Sequence, residues 1–160
     1  MNSSPMFRLA GPIACLAVLG GVLGGPLGAA SASDASIKAV MKSYEAKILV
    51  AEGQVVTAVG EYKTTAVPTG VEAAIANSSE IFRSLKAAIA AQPAVSARVK
   101  RGKAKIETGL GSIILGYRQL SVSFAELKTR PVHAKAEAKK ALTTVKKGTN
   151  ELTEGAKLLR

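Results

Sequence analysis

Residues 93–129 read PAVSARVKRGKAKIETGLGSIILGYRQLSVSFAELKT, and their apolar spacing is that of one long amphipathic helix. Apolar side chains recur at alternating steps of four and three residues, which keeps them on a single helical stripe. Three glycines repeat beside that stripe every seven residues. The stripe consists of Ile106, Leu110, Ile113, Tyr117, Leu120, Phe124 and Leu127, and the glycines are Gly102, Gly109 and Gly116. We therefore expect the rest of the chain to pack around this helix.

Three further segments have the same four-three spacing. We expect helices over about residues 34–63, 69–92 and 131–160, separated by breaks at Pro68 and Pro93 and at the start of the last segment. No segment has the alternating apolar and polar residues of a half-buried strand. The sequence therefore predicts an all-α protein, an antiparallel up-down-up-down four-helix bundle with a long third helix.

The third helix would be about 55 Å long at 1.5 Å per residue, against about 36–45 Å for the others. It should then overhang the bundle or bend at a glycine, with the basic turns Arg98–Lys105 at the less covered end. At the start of the second helix, Thr69 and Glu72 have the spacing of a capping box.

The N-terminus has the pattern of a cleaved signal peptide. A short segment carrying Arg8 precedes the apolar stretch Leu9–Gly28, and Ala30-Ser31-Ala32 is a small-x-small cleavage site. We expect residues 1–32 to be removed and residues 33–160 to form a single domain. The one cysteine, Cys15, would leave with the signal peptide. This predicts a bacterial protein that is secreted or extracytoplasmic, in the periplasm or cell envelope, and held together by core packing without disulfides.

The chain is strongly basic. It carries 22 Lys and Arg against 11 Asp and Glu, a formal net charge of +11, which falls by one to +10 when Arg8 is removed. Such a charge favours anionic partners, although it also favours solubility. The candidate residues for binding an anionic surface are Arg98, Lys100, Arg101, Lys103, Lys105, Lys135, Lys139, Lys140, Lys146 and Lys147. Lysine predominates among them, which favours diffuse attraction over bidentate phosphate recognition.

A glycine pattern recurs in three helices. Val-x-x-Gly, followed by a second glycine seven residues after the first, occurs at Val50, Val99 and Val145. Glycine inside a helix costs roughly 1 kcal/mol relative to alanine, so close approach of two backbones is the favoured explanation. A groove of exposed backbone that admits an apolar ligand is the alternative, and an old helix duplication would also fit.

Residues for catalysis or metal binding are few. The carboxylates Glu45, Glu52, Glu61, Glu72 and Glu80 lie off the apolar stripes. The single histidine, His133, has no nucleophile or carboxylate in a catalytic pattern and is expected to be solvated. The sequence contains neither the Glu-x-x-His of di-iron bundles nor the Cys-x-x-Cys-His of c-type haem. We therefore expect no enzyme activity, no metal and no cofactor.

The resulting hypothesis is a non-enzymatic, exported helical bundle. Its basic helix faces would associate with an anionic envelope polymer, with lipid headgroups or with an envelope protein. The alternative is a carrier of a small apolar ligand in the bundle core or in a glycine-lined groove, and self-association through the seam of the third helix is a third. Because the aromatic residues fall on core stripes and leave no stacking platform, the sequence argues against nucleic acid as the partner.

Overall fold

The computed structural model describes residues 32–159, and that range contains four α-helices and no β-strand. The helices are α1 (Ala32–Thr65), α2 (Thr69–Ala90), α3 (Ala97–Ala125) and α4 (Pro131–Leu158). The predicted all-α class with four helices is therefore confirmed. The predicted signal peptide lies outside the described residues, apart from its last residue.

The apolar core follows the predicted stripes. Side chains from all four helices form one buried cluster. Every residue of the third stripe is buried, from Ile106 to Phe124 on α3 and Leu127 in the turn that follows, and none is more than 8% exposed. On α1 the buried positions include Ile37, Ile48 and Val55, which also belong to the predicted stripe. Burial of these faces is the main favourable term that holds the helices together.

The third helix is shorter than predicted. It begins only after Ser96, whose backbone is extended and whose hydroxyl accepts the Val99 N–H at 3.2 Å. It ends at Ala125, before a turn over residues 126–129. Pro131 disfavours helix at Arg130 and so separates α3 from α4. With 29 residues against 34 in α1, α3 is not the longest helix, and that prediction is wrong.

The first turns of α3 are covered rather than overhanging. Val99 is fully buried, and a Cβ built on Gly102 would lie 3.0 Å from Cδ2 of Leu159, just after α4. The capping box expected at the start of α2 does not form either. Pro68 occupies the N-cap position and makes no side-chain cap, and the Glu72 N–H donates to the Pro68 carbonyl at 3.0 Å.

Glycines bring the backbones of α3 and α4 into direct contact. A Cβ built on Gly109 would lie 2.5 Å from the carbonyl oxygen of Gly148, and one built on Gly148 would lie 2.5 Å from that of Gly109. Gly155 has the same relation to Gly102, at 2.7 Å. No side chain fits at these positions, so the predicted close approach of helix backbones is found here. On α1, by contrast, the glycines of the repeated pattern have no atom within 4 Å of a built Cβ.

Contacts at both ends connect α1 with α3. The Arg98 guanidinium lies 3.3 Å from the Asp34 carboxylate near the start of both helices, and the rings of Tyr62 and Phe124 meet edge to face near their ends, 5.7 Å apart. None of the four described helices has an apolar run long enough to cross a membrane.

Candidate functional site

The net positive charge is concentrated on α3 and α4. α1 carries four basic and four acidic residues, and α2 carries two of each. α3 carries six basic residues against one acidic residue, and α4 carries six against three. A surface with one predominant sign of charge raises the local concentration of opposite ions. The pair α3–α4, residues 97–158, is therefore the candidate site, and we call it the basic hairpin.

Lys103, one of the predicted site residues, is bound within the chain. Its ammonium donates to the carbonyl oxygens of Ala90 and Gln92, each at 2.6 Å. These carbonyls lie at the C-terminal end of α2, where the helix has free acceptors and the negative end of its dipole. The Lys103 side chain is only 17% exposed, so its role here is to cap α2.

Other cations at the start of α3 divide into paired and unpaired ones. Arg98 contacts the buried Asp34 of α1, and Lys105 forms an ion pair with Glu154 of α4. Two predicted site residues are exposed and have no ion pair within the described chain, namely Lys100 and Arg101. Only these two cations of the predicted segment are thus fully available to an external anion.

The lysines of α4 show the same division. Lys140 contacts Glu137 at 2.6 Å, and Lys147 lies 4.0 Å from Glu151. Three others are exposed and make no ion pair among residues 32–159, namely Lys135, Lys139 and Lys146. Because exposed ion pairs are weak and easily exchanged, the paired lysines can still add to a diffuse field.

The exposed cations are spread along the basic hairpin: Lys100 and Arg101 lie at one end, Lys135 and Lys139 lie towards the other, and Lys146 lies near the middle of α4. Gly102 packs beside Leu159 at one end, and Glu126 contacts His133 at the other. At 1.5 Å per residue, Arg101 is about 36 Å from the far end of α3. The cations therefore form an extended surface rather than one compact pocket.

Neighbouring lysines lower the pKa of two carboxyl groups on α4. A hydrogen bond from Lys140 lowers the pKa of Glu137, and a hydrogen bond from Lys105 lowers the pKa of Glu154. Both carboxylates therefore remain ionised at neutral pH and locally reduce the positive field of the hairpin.

One carboxylate contradicts the expectation from sequence. Glu52 was placed off the apolar stripe of α1, yet its side chain is in the core and only 5% exposed. Burial raises its pKa from 4.5 to about 8, because the protein interior disfavours the charged form. The group is therefore mostly protonated and neutral at pH 7.

Two hydroxyl groups are buried in the same core. Tyr117 on α3 is fully buried, and burial together with the charge of Glu52 raises its pKa above the usual range. Ser79 on α2 is 4% exposed. One side-chain oxygen on each of Glu52, Ser79 and Tyr117 has no hydrogen-bond partner among the described residues. Sequence reasoning missed this set because each member lies on a different helix.

A shallow groove of about 590 Å³ runs between α1 and α2. Its wall on α1 includes Val50, Gly53 and Thr57, and its wall on α2 includes Gly70 and Asn77. No atom lies within 4 Å of a Cβ built on either glycine. One glycine of the repeated pattern, Gly53, lines this groove.

A second groove of about 460 Å³ lies on the outer face of the basic hairpin. Exposed Leu115 and Val122 line it together with Arg118 and His133. His133 is exposed as expected, but its Nδ1 lies 3.0 Å from the Glu126 carboxylate, a partner that the sequence did not indicate. Among the described residues no group of three or more acidic, histidine or cysteine side chains could hold a metal ion.

Comparison with known proteins found no matching family model, no matching curated protein and no matching solved structure.

Proposed function

We propose that the chain is a non-enzymatic, exported helical bundle that binds anionic surfaces of the cell envelope through its basic hairpin. The observation that carries the proposal is the uneven charge. α1 and α2 each contain equal numbers of basic and acidic residues, whereas α3 and α4 together hold twelve basic residues against four acidic ones. Lipid headgroups, anionic wall polymers and an acidic envelope protein present the complementary charge.

We also propose an up-down-up-down order for the four helices. Three contacts support it. The starts of α1 and α3 meet at Asp34 and Arg98, the start of α3 meets the end of α4 at Gly102 and Leu159, and the end of α2 meets the start of α3 at Lys103. This order places the exposed cations of the hairpin on a single layer of the molecule.

Cosedimentation with vesicles tests the binding. We expect the protein to bind vesicles rich in phosphatidylglycerol at low salt, to release them at physiological salt, and not to bind neutral phosphatidylcholine vesicles. Neutralising Lys100 and Arg101 to Gln, or Lys135 and Lys139 to Gln, should weaken binding.

The matched control removes the same charge from the other half of the molecule. Lys38→Gln with Lys42→Gln lowers the net charge by two on α1. If this variant loses as much binding as the hairpin variants, net charge rather than the hairpin drives the interaction. If the unsubstituted protein binds neither anionic vesicles nor anionic wall polymer at low salt, the proposal fails.

The groove between α1 and α2 favours a second candidate, a carrier of a small apolar ligand. Its floor includes Ala58 and Ala74, and its volume of about 590 Å³ suits a small molecule. Native mass spectrometry should then find a bound small molecule. The substitution Gly53→Phe, whose side chain would fill the groove, should abolish its binding. A clean apo mass in repeated preparations would remove this candidate.

A further inference from the structure

Three helices place a polar side chain in the same part of an otherwise apolar core. Glu52 comes from α1, Ser79 from α2 and Tyr117 from α3, and none of them is more than 5% exposed. Each has a buried side-chain oxygen that lacks a hydrogen-bond partner among the described residues. Burying a polar group without a hydrogen bond costs free energy of folding, so these groups reduce the stability of this part of the core.

Contacts between residues adjacent to these groups show that they lie in the same region. The Ser78 hydroxyl, next to Ser79, lies 3.4 Å from the carbonyl oxygen of Ala51, next to Glu52. The ring of Phe82, one helical turn after Ser79, stacks on the ring of Tyr117 at 5.7 Å. The meeting point of α1, α2 and α3 is therefore where the polar groups lie.

Of the helices that meet there, α1 is held less firmly than α3. The backbones of α3 and α4 are in direct contact at three levels, whereas a Cβ built on Gly53 or Gly60 of α1 would have no atom of another helix within 4 Å. Specific contacts of α1 with α3 lie near its two ends, at Asp34 and Tyr62. A disturbance at the middle of α1 should therefore separate α1 before it separates α3 from α4.

We propose that the Glu52 carboxyl is a proton-controlled switch that lets α1 open away from the rest of the bundle. When the carboxyl is protonated and neutral, α1 stays packed against α2 and α3. When it loses the proton, the carboxylate gains hydration only if α1 moves outward. The basic hairpin stays closed, so this inference does not depend on the proposed surface binding.

The surroundings of Glu52 give the switch its direction. On α3 its charge acts on Tyr117, whose phenol is neutral. On α2 the nearest polar groups are Ser78, whose hydroxyl donates to the carbonyl oxygens of Ala74 and of the neighbouring Ala51, and the buried Ser79. No Lys or Arg of the described chain, on α4 or elsewhere, lies within ion-pair distance of Glu52. Nothing nearby compensates a negative charge, so ionisation favours the open form.

The expected effect of pH on the opening of α1 follows from the pKa of Glu52 in the closed and in the open form. The carboxyl has a pKa of about 8 when α1 is closed and should recover the ordinary value of about 4.5 when it is solvated. Between these values the opening equilibrium constant should rise about tenfold for each pH unit. Above about pH 8 it should level off, because both forms are then ionised.

Amide hydrogen exchange of the full chain, analysed by mass spectrometry from pH 5.5 to 8.5, tests the switch. Protection factors, which already correct for base-catalysed exchange, should fall about tenfold per pH unit up to about pH 8 in the middle of α1. At each pH the middle of α1 should be less protected than those amides of α3 and α4 that exchange only on complete unfolding. Glu52→Gln should abolish the fall, because the amide is neutral and cannot titrate. Glu61→Gln, on the exposed face of α1, should leave it unchanged.

Three results would overturn the proposal. They are protection of α1 that does not vary with pH, a fall that persists in the E52Q variant, and protection in the middle of α1 that equals that of the most protected amides of α3 and α4 at every pH. The last result would mean that α1 separates only on complete unfolding. If E52Q does not fold, Glu52→Met provides a second non-titrating side chain of similar length and must also abolish the fall.

Discussion

Alanine at Gly109 should destabilise the protein although alanine is the better helix former. A Cβ at this position would lie 2.5 Å from the carbonyl oxygen of Gly148 and 2.6 Å from the backbone nitrogen of Leu152. Both neighbours are backbone atoms, which cannot rotate away as a flexible side chain can. The substitution must therefore push α3 and α4 apart.

The expected magnitude is the difference of two terms. Overpacking a well-fitted core typically costs about 1–3 kcal/mol, and the upper end applies because the obstacle is the opposite helix itself. Replacing a glycine inside a helix by alanine gains about 1 kcal/mol. The net result is a loss of about 2 kcal/mol, or a fall in Tm of about 6 °C for a domain of this size.

Gly53 on α1 provides the matched control. It is exposed, it lies inside a helix and it belongs to the same repeated pattern, but no atom is within 4 Å of its built Cβ. Gly53→Ala should therefore gain up to about 1 kcal/mol. Urea unfolding followed by circular dichroism measures both variants. If Gly109→Ala is as stable as Gly53→Ala, the backbones of α3 and α4 are not in contact and the packing described here is wrong.

Three further outcomes are expected. Combining Gly109→Ala with Gly148→Ala should cost less than the sum of the single losses, because the first substitution has already separated the helices. Glu52→Gln should remove a pH dependence. The folded-state pKa of Glu52, about 8, lies above the unfolded value. The native protein should therefore lose about 1.4 kcal/mol of stability per pH unit as the pH rises from about 4.5 to about 8, whereas E52Q should not. Urea unfolding at several pH values measures this difference. Lys103→Met should lose about 1–2 kcal/mol, because two carbonyls at the end of α2 lose a charged donor, whereas the exposed Lys100→Met should change stability by less than about 0.5 kcal/mol.

The helices were predictable because the apolar spacing of each segment is a local property. The residues at which the helices begin and end were less predictable. Ser96 caps the third helix three residues after the predicted start at Pro93, so the helix begins at Ala97. The apolar spacing does not distinguish this serine from Ser121 or Ser123 further along the helix. A cap depends on the backbone conformation of one residue, which the periodic pattern does not encode.

The glycine pattern illustrates what spacing leaves open. Gly102 and Gly109 on α3 have the same spacing as Gly53 and Gly60 on α1. Only the first pair meets another backbone. Close packing is thus found at the glycines of α3, whereas those of α1 are exposed. The choice at each site depends on which helix lies opposite, and that is a property of the tertiary fold.

Glu52 was missed for a related reason. It lies four residues after Ile48 and three before Val55, at the margin of the buried stripe of α1. Charged residues at that margin usually reach solvent, so the periodic pattern favours an exposed side chain. Its position relative to two core residues was the one local signal that could have indicated burial.

The predicted basic site was only partly predictable as well. Lys100 and Arg101 are exposed as their positions on α3 suggest, but Arg98 and Lys105 contact acidic residues 64 and 49 positions away in the sequence. Contacts of that range cannot be inferred from helical spacing. Composition indicated the kind of partner, and only the fold shows which cations remain available to it.

The basic hairpin combines two features that oppose each other, and salt should reveal the balance between them. Close approach of α3 and α4 crowds twelve basic residues onto two helices, and such crowding destabilises a compact state through self-repulsion. Only a few contacts, such as Lys105 with Glu154, offset it across the two helices. Raising the salt concentration should therefore raise Tm by screening the repulsion, while it weakens binding to anionic vesicles. Anionic polymer added at low salt should raise Tm in the same way, because a ligand that binds the folded state stabilises it. A Tm that falls with salt would mean that ion pairs outweigh repulsion in the hairpin, and the hairpin would then have little excess field with which to attract a surface.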